Sequence, residues 1–178
     1  MLCYVFDLDD VLLQTTSIFS SERIRHIIEN TSDIVKAYKH CIQPDPELYQ
    51  KLKQLQGPKF VLTNASRVHA YASIQALQIQ QFFIGQLDAD SGIRLKPSFN
   101  AYLNMQKIIN NQLLQKNKTI VFFDDRLENL VAPFQMGWVT IWIKPYHVNI
   151  QKPNYVSYIF STVHDALSYM IHLQSSTS

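Results

Sequence analysis

Leu2-Cys3-Tyr4-Val5-Phe6-Asp7-Leu8-Asp9-Asp10-Val11-Leu12 is the stretch from which the rest of the chain is read. It is apolar from Leu2 to Phe6 and then presents three carboxylates within four residues, at Asp7, Asp9 and Asp10. The apolar run is too short for a membrane span or a signal-peptide core. Its unbroken apolar character predicts a strand buried on both faces, as in parallel sheets. In open α/β sheets ligands bind at the carboxyl ends of such strands. Carboxylates crowded together repel unless a cation or a shared proton relieves them. A hard divalent metal such as Mg2+ would do so. Taken alone, the triplet also fits an ordinary acidic turn.

Two further strands end in the same manner. The run Phe60-Val61-Leu62 leads into Thr63-Asn64, and Ile120-Val121-Phe122-Phe123 leads into Asp124-Asp125. Between them, Lys96-Pro97 is expected to open a helix that runs to about Leu114. Each feature has an ordinary alternative: Thr63 and Asn64 as helix caps, Lys96 as a solvated charge, Asp125 as an N-cap. Repetition of polar groups at one edge of the sheet is what chance does not supply.

The remaining pattern places these ends on a scaffold. Strands are expected over 59–64, 82–87, 138–143 and 155–160, with helices over 66–77, 127–134 and 162–173. Asp45-Pro46 reads as an N-cap followed by proline at the first helical position, opening a helix that carries Leu48, Leu52 and Leu55. Strands alternating with helices predict an α/β fold, a doubly wound parallel sheet with right-handed crossovers. The segment 15–42 is an insertion after the first strand. Ile24, Ile27 and Ile28 share one helical face, as do Ile34, Val35 and Tyr38, so two short helices are expected. Ser20 or Ser21 would cap the first and Thr31 or Ser32 the second.

The 178 residues, 47% of them hydrophobic, suffice for one domain over 1–178 with its own core. A net charge of +2 with scattered Lys and Arg gives no nucleic-acid footprint and no polybasic membrane patch. Cys3 and Cys41 lack metal-ligand spacing and read as reduced, packed thiols. A cytoplasmic location is the expectation, and oligomeric state is not legible.

The motifs resemble, over nearly the whole chain, those of the haloacid dehalogenase (HAD) superfamily, dominated by Mg2+-dependent phosphatases. Asp7-Leu8-Asp9-Asp10-Val11 is similar to its first motif, Thr63 to its second, Lys96 to its third and Asp124-Asp125 to its fourth. Leu62-Thr63-Asn64-Ala65 with His69-Ala70, Lys96-Pro97 and Phe123-Asp124-Asp125 look most like the pyrimidine 5'-nucleotidase-like branch, with a reduced cap over 15–42.

The resemblance implies a phosphatase of small phosphorylated metabolites that forms an aspartyl-phosphate on Asp7, with Asp9 as general acid and base. Thr63, Asn64 and Lys96 would bind the phosphoryl group. Mg2+ would be held by Asp7, Asp124, Asp125 and the Asp9 carbonyl. Dehalogenases of the superfamily lack the second carboxylate, so Asp9 favours phosphoryl transfer. A phosphomutase, a protein phosphatase and a non-catalytic binding protein of the same fold are the alternatives. Asp10 receives no chemistry, and Asn129 is expected to brace the acidic loop. His69 is expected at the surface or in packing, and Arg23, Arg25 or His26 would tune substrate preference from the insertion.

Overall fold

The structure, a computed structural model, describes residues 1–114, 117–145 and 151–176, without the side chains of Arg23, Arg25 and Ile28. Six strands form one parallel sheet: β1 (Leu2–Phe6), β2 (Lys59–Leu62), β3 (Phe83–Leu87), β4 (Thr119–Asp124), β5 (Val139–Ile143) and β6 (Tyr158–Phe160). Their spatial order is β3-β2-β1-β4-β5-β6, the doubly wound arrangement expected from the alternation of elements. Strand order reverses between β1 and β4, and at such a switch point the carboxyl ends leave a crevice.

β1 is central because it has side chains for two cores. Tyr4 and Phe6 belong to one face with Val61, Phe123 and Ile141. Cys3 and Val5 belong to the other with Phe60, Phe122 and Trp142. Cys3, Tyr4, Val5 and Phe6 are all fully buried. Phe6 stacks on Phe123 of the neighbouring strand with centroids 4.4 Å apart, at the short limit of the separations that aromatic pairs favour. On the first face lie α4 (Pro46–Gln54), α5 (Arg67–Ala76) and α8 (Val163–Ser176), and on the second α6 (Phe99–Gln112) and α7 (Val131–Gln135).

Asp45 caps α4 as expected, its side chain accepting from the Leu48 N–H, with Pro46 following. Other boundaries moved. The 59–64 strand ends at Leu62, leaving Thr63 and Asn64 in the loop. The helix expected from Lys96 starts at Phe99 instead. A residue before proline is pushed away from helical backbone, so Lys96 is held in a loop. The helix expected over 127–134 begins as a 3-10 turn, Leu127–Leu130, before α7.

The 15–42 insertion forms three helices rather than two: α1 (Thr15–Phe19), α2 (Glu22–Glu29) and α3 (Ile34–Cys41). The cap of α3 is Asp33, which accepts from the Lys36 N–H, and not Thr31 or Ser32. Two acid–threonine pairs fasten α1 to the loop after β1: Thr15 Oγ1 donates to Asp9, and the Thr16 N–H and hydroxyl donate to Asp10. Asp10 has φ of 55°, the left-handed region that Asp tolerates better than most side chains. α3 packs on α5, which brings the insertion against the start of the helix that follows Thr63.

Candidate active site

Parallel pairing converts the three polar strand ends into one site. Phe6 lies opposite Val61 on β2 and opposite Phe123 on β4. Asp7 and Asp124 therefore emerge level at the same edge, and Thr63 follows one residue beyond Leu62, the end of β2. The Asp7 N–H donates to the Phe123 carbonyl at 2.9 Å, so Asp7 and Asp124 leave adjacent strands side by side. Asp7, Thr63, Lys96 and Asp124 are all buried.

Lys96 ties the two acids together. Its Nζ lies 2.7 Å from Asp7 Oδ2 and 2.7 Å from Asp124 Oδ2. Burial works to lower its pKa, but Asp124 and Asp7 outweigh burial and hold it above the ordinary lysine range, charged. Asn64 locks the lysine loop. Its amide nitrogen donates to the Lys96 carbonyl at 2.8 Å, and its carbonyl oxygen accepts from the Lys96 N–H at 2.9 Å. With its side chain so occupied, Asn64 has its backbone N–H to offer a ligand. Thr63 Oγ1 accepts from the Ala65 N–H at 3.0 Å, which leaves its own hydroxyl hydrogen to donate.

The acidic corner is under charge strain. Burial pushes the Asp7 carboxyl well above the ordinary range, Lys96 opposing and Asp124 reinforcing that push. Burial, then Asp124 and Asp10, raise Asp125 to about 6. Carboxylate oxygens of Asp7, Asp124 and Asp125 lie within 4.8 Å of one another. Three carboxylates against one ammonium leave two negative charges, which matches a divalent cation with oxygen ligands. The Asp9 carboxylate is not in that cluster, so a contribution from Asp9 would come through its carbonyl. Asn129 braces the corner as expected, donating to both Asp124 oxygens at 2.9 and 3.1 Å. The Arg126 N–H adds a third bond to Asp124 at 2.9 Å.

A cavity of about 310 Å³ opens on this corner, lined by Asp7, Asp9, Thr63, Lys96, Asp125 and Arg126 among others. That volume is at the lower end for small-molecule sites. Among the described residues, none from 15–42 lines it. His26, expected to face substrate, is exposed and bonds Asn30 within its own helix turn. The side chains of Arg23 and Arg25 lie outside the described residues.

His69 is packed, against Phe19 and Tyr38, but its bond to the site is not legible in the sequence. It was expected at the surface or in packing, yet its Nε2 sits 2.8 Å from Asp9 Oδ1 and its Nδ1 2.7 Å from the Tyr38 hydroxyl. Burial raises the Asp9 carboxyl, but the bonds from His69 and Thr15 outweigh it and leave Asp9 below the ordinary range. The sequence carries only a positional signal. A helix that follows a strand starts at the carboxyl edge of the sheet, so residues in its first turn face the site. His69 is the third residue of α5.

No family model matches the chain, and no curated protein matches it in sequence. Solved structures match it in fold. A Thermotoga maritima protein assigned as a beta-phosphoglucomutase has a TM-score of 0.69 at 13% identity, covering 97% of this chain and all of that one (100%). A HAD phosphatase from Thermococcus onnurineus gives 0.64 at 14%, covering 96% and 98%. The L-2-haloacid dehalogenase from Xanthobacter autotrophicus with covalently bound chloropropionic acid gives 0.61 at 10%, covering 93% and 96%. The fold is the one these proteins share.

Proposed function

We propose that this chain, with its HAD-type fold, is a Mg2+-dependent phosphatase that hydrolyses small phosphomonoesters through an aspartyl-phosphate on Asp7. The observation that carries this reading is Lys96 bonded to both Asp7 and Asp124, beside a cavity whose acidic corner is two charges short of neutrality.

The residues divide the work as follows. A carboxylate oxygen of Asp7 attacks phosphorus as the bond to the leaving oxygen breaks, and Asp9 supplies the proton that this oxygen takes up. Water then attacks the same phosphorus, gives its proton to Asp9, and the bond to Asp7 breaks. Inorganic phosphate leaves and Asp7 is regenerated. Thr63 and the backbone at Asn64 hold phosphoryl oxygens, and Lys96 supplies a fixed positive charge beside them. Asp7, Asp124 and Asp125 would hold Mg2+, which offsets phosphoryl charge and keeps Asp7 ionised. Asp9, poised beside the cavity by two hydrogen bonds, favours phosphoryl transfer over dehalogenation, which has no use for a second carboxylate.

The test is release of p-nitrophenol from p-nitrophenyl phosphate. Activity is expected with Mg2+ and not in excess chelator, and Asp7→Asn should abolish it while the fold persists. Full turnover in chelator, or by Asp7→Asn, would refute the assignment.

A further inference from the structure

The 15–42 insertion contributes no described residue to the cavity, yet one of its side chains bonds Asp9 and two more hold His69, which bonds Asp9 in turn. Thr15 of α1 donates to Asp9 Oδ1 at 2.6 Å. Tyr38 of α3, nearly buried at 4% exposure, places its hydroxyl on His69 Nδ1. His69 Nε2 then meets the same Asp9 oxygen. Phe19 of α1 packs against both rings, 5.4 Å from Tyr38 and 6.0 Å from His69. Tyr38 meets the imidazole edge-on.

Hydrogen-bond chemistry sets the sense of this chain. Asp9 Oδ1 accepts whether or not Oδ2 carries the proton to be transferred, so Nε2 carries the ring hydrogen, and in the neutral imidazole Nδ1 accepts from the Tyr38 hydroxyl. Burial, followed by the charges of Asp9 and Cys41, raises the Tyr38 phenol above its ordinary range, so it keeps the hydrogen it donates. Both bonds to Asp9 fall on Oδ1. Among the described residues, no hydrogen bond is made to Oδ2, and Asp9 lines the cavity. One oxygen is gripped and the other is left to serve the reaction.

We propose that His69, fixed by Tyr38, is a positioning residue for Asp9, and that the insertion acts by aiming this proton-transfer carboxylate rather than by enclosing the substrate. The inference rests on the aspartyl-phosphate reading and assigns a role within it. Orientation of a catalytic group is worth orders of magnitude in rate, and small displacements forfeit much of it.

The test separates the two half-reactions. A p-nitrophenyl leaving group departs with little help from an acid, whereas the alkoxide of glycerol phosphate needs a proton. Removal of the phosphoryl group from Asp7 needs Asp9 as base whichever ester was used. His69→Phe keeps a ring in the Phe19–Tyr38 contact and deletes the bond to Asp9.

With p-nitrophenyl phosphate this variant should give a burst of p-nitrophenol stoichiometric with enzyme, then steady turnover slowed about a hundredfold. With glycerol phosphate it should be slowed at least as much and show no phosphoenzyme. His69→Gln, which can return an N–H donor to Asp9, should recover most of the rate. Tyr38→Phe, which removes one oxygen and leaves both rings, should show the same burst with a roughly fivefold loss.

The proposal is overturned if His69→Phe, folded by circular dichroism, matches wild type on both esters. It is equally overturned if both esters lose rate alike without a burst and without rescue by glutamine. Should His69→Phe fail to fold, absence of the burst in Tyr38→Phe overturns it. Failure of the underlying reading looks different, because wild type itself would then show no Asp7-dependent hydrolysis.

Discussion

Asp124 accepts from Lys96, from the Asn129 amide and from the Arg126 N–H, so it is the fully paired acid of the site. Asp125 beside it is not so compensated, and its carboxyl is raised to about 6 by burial and by Asp124 and Asp10. The sign of the consequence follows from linkage. An unfolded Asp releases its proton near pH 4. Between about 4 and 6 the folded metal-free protein therefore holds a proton that the unfolded chain has lost. Asp125 thus withdraws stability as pH rises through that window, and the deficit persists above it. Metal-free Asp125→Asn should melt a few degrees higher than wild type at pH 7.5 and at the same temperature near pH 4. Its stabilisation by Mg2+, read as a Tm shift, should shrink. An unchanged Tm at pH 7.5, or an undiminished Mg2+ shift, would contradict the placement of Asp125 in the charged corner.

The residue scale also shows what the sequence could not carry. Asp7, Thr63 and Asp124 were legible because an apolar strand points its last residue at the sheet edge. His69 lies on a helix whose pattern does not reveal which neighbour will meet it. Tyr38 reads as an apolar anchor of a short helix, and its hydroxyl partner is 31 residues away in the chain.

Some elements are legible from a local signal alone. Asp45-Pro46 is such a signal, and α4 starts there. Asp45 does more than cap, since His164 Nε2 of α8 lies 2.8 Å from its second oxygen, joining helices on the same face of the sheet. Asp45→Ala should cost about 1 kcal/mol from loss of the cap, a fall in Tm of roughly 2–4 °C for a chain of this size. Unchanged thermal unfolding would show that neither bond contributes. The insertion was read less well, with three helices in place of two and a cap at Asp33. Short helices are decided by packing more than by propensity. What fixes α1 is its bonds to Asp9 and Asp10, six residues back, and what fixes α3 is packing on α5, remote in sequence.

At the scale of the whole molecule, the order β3-β2-β1-β4-β5-β6 puts the reversal between β1 and β4, and Asp7 and Asp124 stand at the mouth of that crevice. The alternation of elements makes a right-handed, doubly wound parallel sheet legible, whereas the strand order that places this reversal comes from the structure. No helix among the described residues is long and apolar enough to cross a membrane. The cavity is small and lined by the motif loops, so on the proposed phosphatase reading it offers a leaving group few contacts that could select among esters. Values of kcat/KM should therefore differ by no more than roughly tenfold among phosphomonoesters of similar size, as expected where few polar contacts discriminate. A preference of several orders of magnitude for one ester, measured across a panel of sugar, nucleoside and amino-acid phosphates, would mean that something else completes the site.

Asp7 is the residue proposed to carry the phosphoryl group. Acid quenching within one turnover of p-nitrophenyl phosphate and Mg2+, followed by peptide mass analysis, tests it most directly. One phosphoryl group is expected on Asp7, labile to hydroxylamine and missing in chelator and in Asp7→Asn. Turnover with no phosphorylated peptide, or with the group on any other residue, would contradict it.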